Sequence, residues 1–196
     1  MIEDGFFDPR KPFHIRWGNL PHWRQDGALY FVTFRLGDSL PQSKLTAWLR
    51  ERDEWRRLHP DARADEIEEF SLRQRREIEV WLDRGIGSRV LRIPAAKTIV
   101  EDAFRHFDGE RYELGEFAVA ANHAHALART ASGIDLSEVL HSWKRHSSRE
   151  ISKLDEVKRV LPGARRHLWQ VESFDHIVRN RASLEKFTRY IRNHRA

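Results

Sequence analysis

The chain has 196 residues, 40% hydrophobic and 33% charged, with no cysteine and a formal net charge of +5. That size and balance fit one globular domain with its own core, and the lack of cysteine excludes disulfides and thiolate metal sites and fits a reducing, cytoplasmic setting. The start, Met1-Ile-Glu-Asp-Gly5, has no basic segment followed by an apolar run, and no stretch is apolar for the length of a membrane span, so neither a secretion signal nor a membrane partner is expected.

Residues 1–27 carry Phe6, Phe7, Phe13, Trp17 and Trp23 among Pro9, Pro12 and Pro21, and read as an irregular arm. Ala28-Leu-Tyr-Phe-Val-Thr-Phe-Arg-Leu36 is aromatic and β-branched and reads as the first strand. Pro41 opens a helical region with Leu45, Trp48, Leu49 and Trp55 at helical spacing, which His59-Pro60 breaks. Residues 64–83 form a second, heavily charged helix with Ile67, Phe70, Ile78, Trp81 and Leu82 on its apolar side, ended by Gly85 and Gly87. Pro94 starts a helix running to about Phe107, and Asp108-Gly109 is a turn. Two strands follow, Tyr112 to Ala121 and His123 to Arg129. Asp135-Leu-Ser-Glu138 resembles a capping box for a helix with Leu136, Val139, Leu140, Trp143 and Ile151 inward. Residues 155–166 read as a linker through Pro162-Gly163, residues 167–180 are mixed, and a last helix starts at about Ser183. This order predicts an α+β sandwich: an antiparallel sheet with helices packed on one face. The domain plan is one unit, 1–196, with an arm (1–27), a charged helical insertion after the first strand (42–84) and a C-terminal helix (183–196).

Within Phe117-Ala-Val-Ala-Ala-Asn-His-Ala-His-Ala-Leu127, His123 and His125 are two residues apart on a predicted strand, so both imidazoles project from one face. That makes a pair of candidate metal ligands, although an isolated His-x-His pair is more often structural. In the last helix, Leu184, Phe187 and Ile191 form an apolar stripe, Tyr190 lies at its edge, and His194 is one turn beyond on the same face. Tyr190 is a candidate nucleophile and His194 a third candidate ligand; a half-buried tyrosine near a helix end is the plainer reading. Charge is uneven: residues 141–196 carry 14 Lys/Arg against 6 Asp/Glu, and residues 1–140 carry 21 against 24. A basic last quarter beside a metal site suits a polyanion, and it equally suits a solvated helix.

Several segments in order resemble the REP-associated tyrosine transposases, relatives of the single-tyrosine HUH transposases of small insertion sequences. They are Leu20-Pro-His-Trp-Arg-Gln25, Tyr30-Phe-Val-Thr-Phe-Arg-Leu36, Ser39-Leu-Pro41, Phe107-Asp-Gly-Glu-Arg-Tyr112, Asn122-His-Ala-His125, the helix from His141 to Ile151, Leu168-Trp-Gln170, Ser173-Phe-Asp-His-Ile-Val-Arg179 and Tyr190-Ile-Arg-Asn193. The resemblance implies a ferredoxin-like (RRM-like) antiparallel sheet of the HUH type. It implies a metal-dependent single-stranded DNA endonuclease and strand transferase, acting through a 5′-phosphotyrosine on hairpin-associated, REP-like DNA. His123 and His125 map to the HUH histidines and Tyr190 to the catalytic tyrosine. His194 falls where the family carries a polar ligand, commonly Asn or Gln. The implied cofactor is Mg²⁺ or Mn²⁺; with His194 as a third imidazole, Mn²⁺, Co²⁺, Ni²⁺ or Zn²⁺ are favoured over Mg²⁺. The implied partner is single-stranded or hairpin DNA, bound by a monomer or homodimer. Lys144, Arg145, Arg149, Arg179, Arg189 and Arg192 are the expected phosphate contacts and Trp169 the expected stacking platform. Trp143 fits the apolar stripe and is assigned to the core.

The chain departs from the family pattern at Ala124, where a bulkier aliphatic residue is usual, and at Ala120-Ala121 in place of Met-Pro. It also has His194-Arg195 in place of Asn-Pro and stops at Ala196, where relatives continue. A truncated copy with binding retained and cleavage weakened is therefore expected as the alternative function: a hairpin-binding protein. A third reading is a zinc hydrolase that recruits Asp135 or Asp175 to the His pair.

Overall fold

The computed structural model describes residues 2, 4–18, 20–161 and 168–194. Two strands, β1 (His14–Trp17) and β2 (Pro21–Arg24), form an antiparallel hairpin. Four more, β3 (Leu29–Arg35), β4 (Tyr112–Val119), β5 (His123–Thr130) and β6 (Phe174–Ile177), form an antiparallel sheet in the order β4-β5-β3-β6. Helices α1 (Gln42–Leu58) and α2 (Ala64–Asp83) are inserted after β3, and a short 3₁₀ turn (Val90–Arg92) leads into α3 (Pro94–Arg105) before β4. Between β5 and β6 lie α4 (Leu136–Ile151) and α5 (Asp155–Val160); α6 (Arg181–Asn193) closes the described chain. A helical crossover before β4 and another before β6, with β3 and β5 side by side at the centre, is the ferredoxin-like arrangement expected. Among the described residues, no helix is long and apolar enough to cross a membrane.

The central strand explains the layering. Every residue of β3 is buried, so both of its faces need cover. Tyr30, Val32 and Phe34 face α3 and α4, where Val100, Phe104, Val139 and Trp143 complete one core. On the same face, β5 offers only Ala124, Ala126 and Ala128. These small side chains let the helices close on the sheet, and the Phe104 and Trp143 rings fill the space with centroids 4.7 Å apart. The Trp143 indole N–H donates to the Tyr112 hydroxyl at 2.8 Å, which donates to the Phe104 carbonyl at 2.8 Å. Trp143 is thus core, as assigned. Ala124, unusual beside the family pattern, belongs to this close approach.

Leu29, Phe31 and Leu127 point the other way and meet Phe187 and Ile191 of α6; the Phe31 and Phe187 rings stack at 4.5 Å. The two crossover helices share one face as expected, and α6 covers the second. The apolar run of β3 carried that information, because a strand with no polar face must be buried twice.

Three local expectations are corrected. The arm 1–27 contains the β1–β2 hairpin, since Pro21 sits at a strand start opposite Trp17, a position that tolerates the missing N–H. The linker read over 155–166 begins with α5, whose Val157 is fully buried; Pro162-Gly163 lie outside the described residues. The Asp135 side chain caps α4 by accepting from the Ser137 N–H at 2.8 Å, but Glu138 turns to Arg111 at 3.4 Å and leaves the box open.

Candidate active site

Strand alternation places His123, His125 and Leu127 on the α6 side of the sheet. α6 is amphipathic, capped by the Asn180 side chain accepting from the Ser183 N–H at 2.9 Å. Burial of Phe187 and Ile191 against the sheet brings Tyr190 and His194 over the two histidines. The His123 and His125 ring centroids are 4.6 Å apart, and His194 lies 5.7 and 5.0 Å from them. One ligand atom from each of the three histidines lies within 4.8 Å of the others. The Tyr190 ring is 5.0 Å from His125 and 4.3 Å from His194.

The hydrogen bonds select the ring nitrogens. Asn122 Nδ2 donates to the Ile86 carbonyl at 3.0 Å, which turns its Oδ1 toward His123 Nδ1 at 2.8 Å. His123 therefore carries its proton on Nδ1. His125 Nδ1 lies 2.7 Å from the Thr33 hydroxyl, its cross-strand partner. In both rings Nε2 is left buried and without a hydrogen-bond partner. Two buried ring nitrogens without a partner are costly unless something binds there, and a ring held through Nδ1 by a neighbouring oxygen is the usual support for an Nε2 ligand. The donor set fits a divalent cation of borderline softness. His194 is less ready: its Nδ1 faces the Tyr190 carbonyl at 2.9 Å and its Nε2 faces Asp83 Oδ1 at 3.1 Å.

The electrostatics keep the rings neutral. Burial, then the neighbouring His194, pulls His123 down to about 4. Burial, then the other two imidazoles and Arg75, holds His125 well below the usual range. Neutral imidazole is the ligand form. Tyr190 is pushed far above an ordinary phenol by burial and by the Glu79 carboxylate, so the hydroxyl stays protonated in this arrangement. Its oxygen is buried and makes no hydrogen bond of normal geometry.

A family model described as "Transposase IS200 like" matches residues 92–194. The chain belongs to that family. His123, His125, Tyr190 and His194 all lie in the matched segment of this IS200-like chain. A solved structure of a REP-associated tyrosine transposase bound to a REP hairpin is similar over 85% of this chain and 66% of that one, at 14% identity and a TM-score of 0.46. This IS200-like chain thus spans just under two thirds of that protein's length. No curated protein matches it.

The expected DNA contacts are scattered. Lys144, Arg145 and Arg149 ride on α4, across the sheet from the histidines. Lys144 Nζ donates to the Gln170 and Val171 carbonyls, each at 2.9 Å, and burial lowers it to about 8. Arg145 is exposed, and exposed Arg149 reaches Glu150 at 2.8 Å. On the histidine side, Arg189 is exposed and Arg192 pairs with Glu116 at 2.8 Å. Arg179 pairs with Glu68 and stacks on Trp23 at 4.6 Å. Trp169 is not a stacking platform: its ring is buried against Phe34 at 4.7 Å and its N–H donates to Ser147 at 2.9 Å. The core beneath α4 needed a large ring there. The acids of the hydrolase reading are also elsewhere. Asp135 caps α4, and Asp175 points to the opposite face of β6 from the histidines, binding Arg24 at 2.7 Å and His22 at 2.7 Å.

Sequence reasoning missed the contribution of α2. Arg75 is buried with its guanidinium 5.2 Å from the Tyr190 ring centroid and ion-paired to Glu79. The signal was a charged stripe at 75, 79 and 83, which on a helix reads as a solvated face. It also missed Thr33, whose partner lies 92 residues away.

Proposed function

We propose that this chain is a metal-dependent single-stranded DNA nickase and strand transferase of the transposase type, with Tyr190 as nucleophile and His123, His125 and His194 as metal ligands. One observation carries the reading: two buried, unpartnered imidazole nitrogens and a phenol converge in a chain of the IS200-like transposase family. A cation held by those imidazoles supplies, when bound, positive charge beside a non-bridging phosphate oxygen. Tyr190 Oη attacks phosphorus; the Tyr–O–P bond forms, the phenolic proton goes to water, and the P–O3′ bond breaks. The 3′ oxygen leaves with a proton, and the 5′ phosphate stays on Tyr190. A later 3′ hydroxyl reverses the steps and joins strands without external energy. Single-stranded DNA next to a hairpin is the substrate, in keeping with the REP hairpin held by the similar structure. All four groups come from one chain, which supports a monomer acting as one unit over residues 1–196. Three imidazoles favour Mn²⁺, Co²⁺, Ni²⁺ or Zn²⁺ over Mg²⁺.

Incubation with hairpin oligonucleotides and Mn²⁺, followed by a denaturing gel, tests the reading. A covalent adduct that disappears in Tyr190→Phe is expected. Retarded hairpins with no adduct across a broad oligonucleotide library would instead favour binding without cleavage, the second reading, which the buried and protonated Tyr190 hydroxyl supports.

A further inference from the structure

The candidate site is shut as it stands. Tyr190 Oη and the Nε2 atoms of His123 and His125 are all buried, yet a phosphate attacked by Tyr190 must touch the phenol oxygen. The cover comes from α2, which precedes the segment matched by the family model. Arg75, Glu79 and Asp83 recur every four residues and so line one face. Arg75 lies over the rings of Phe31 (4.4 Å), Phe187 (5.0 Å), Tyr190 (5.2 Å) and Phe174 (5.3 Å), and donates from Nε to Glu79 at 2.6 Å. Asp83 faces His194 Nε2 at 3.1 Å. Two turns before Arg75, Glu68 holds Arg179.

This grip is mostly ionic. The buried apolar residues of α2, namely Ile67, Phe70 and Leu82, belong to neither of the two cores that cover the sheet. Phe70 stacks instead on Trp55 of α1 at 4.3 Å. Gln74 is fully buried with both amide atoms unpartnered, a desolvation cost that lifting α2 would relieve. The stripe also carries Glu68, Glu79 and Asp83 where a polyanion must pass.

Resting on the phosphotyrosine reading, we propose that α2 is an autoinhibitory lid: its acidic stripe stands in for the DNA backbone, and it lifts to admit the strand. An incoming phosphate displaces the acids by repulsion and offers Arg75 an alternative partner.

The test is diethyl pyrocarbonate modification of the metal-free full chain, followed residue by residue by peptide mass spectrometry. Glu68→Ala and Asp83→Ala each remove one lid contact and are expected to speed modification of His123 and His125 by roughly two- to fivefold. Glu77→Ala, on the exposed side of α2, leaves the rate at the wild-type value. His141, exposed on α4 across the sheet, is the internal reference for reagent dose, and an unchanged urea midpoint shows that only α2 moves. Unchanged His123 and His125 rates in both lid variants, or a rise matched by a fall in the urea midpoint, would overturn the lid. If the wild-type chain forms no adduct, the phosphotyrosine reading fails, and the modification rates still decide the lid.

Discussion

Which imidazole nitrogen faces the site is decided by Asn122 and Thr33, not by the histidines themselves. Thr33→Val keeps the shape of the side chain and removes the hydroxyl that orients His125. Metal affinity is expected to fall roughly 10- to 100-fold, read by calorimetric titration with Mn²⁺ or Zn²⁺; an unchanged affinity would remove Thr33 from the site. A second residue-scale consequence lies away from the site. Burial opposes charge on His22, but hydrogen bonds to Asp175 (2.7 Å) and Glu172 (2.9 Å) outweigh it and raise the ring to about 9. A pKa raised on folding stabilises fully below the unfolded value near 6.5 and is lost as pH climbs through about 9. Urea titrations at pH 6 and pH 9.5 should therefore differ by on the order of 2–3 kcal/mol in the wild type and by much less in His22→Gln.

At the scale of elements, α6 is both a structural clamp and the carrier of the candidate nucleophile, Tyr190. Its docking rests on Phe187, stacked on Phe31, and Ile191, which is fully buried. Phe187→Ala is expected to cost about 3–5 kcal/mol in a denaturant titration, with the m-value unchanged if the sheet stays intact. The loss extends beyond stability, because Tyr190 sits one turn from Phe187 and moves with it. α4 shows the opposite arrangement: a buried face led by Trp143, and an exposed face on which Arg145 and Arg149 stand clear of the histidines. A ligand bound on that face would touch neither the histidines nor Tyr190.

At the scale of the whole molecule, the sheet separates two surfaces. One carries the histidines, Tyr190 and α2; the other carries the basic side of α4 and the Arg24–Asp175–His22 network. Since one chain supplies every candidate group, mixing Tyr190→Phe with a His123→Ala/His125→Ala double variant should yield no adduct on a denaturing gel. Restored adduct in the mixture would show that the tyrosine acts on a partner's histidines.

Much of this was legible along the chain because the physics is local. The alternation around His123 and His125 put both rings on one face, and the 3.6-residue period put Tyr190 and His194 together on one helix side. The apolar β3 run, Pro94 at a helix start and the Trp143 stripe likewise depend on near neighbours. What tertiary structure alone decided is everything that joins distant segments. Arg75, Glu79 and Asp83 looked like a solvated stripe until α2 was laid over α6, and Trp169 looked like a free ring until the space under α4 required it. Backbone periodicity is written in consecutive residues, but which buried charge meets which ring depends on how whole elements pack, and no window of sequence contains that.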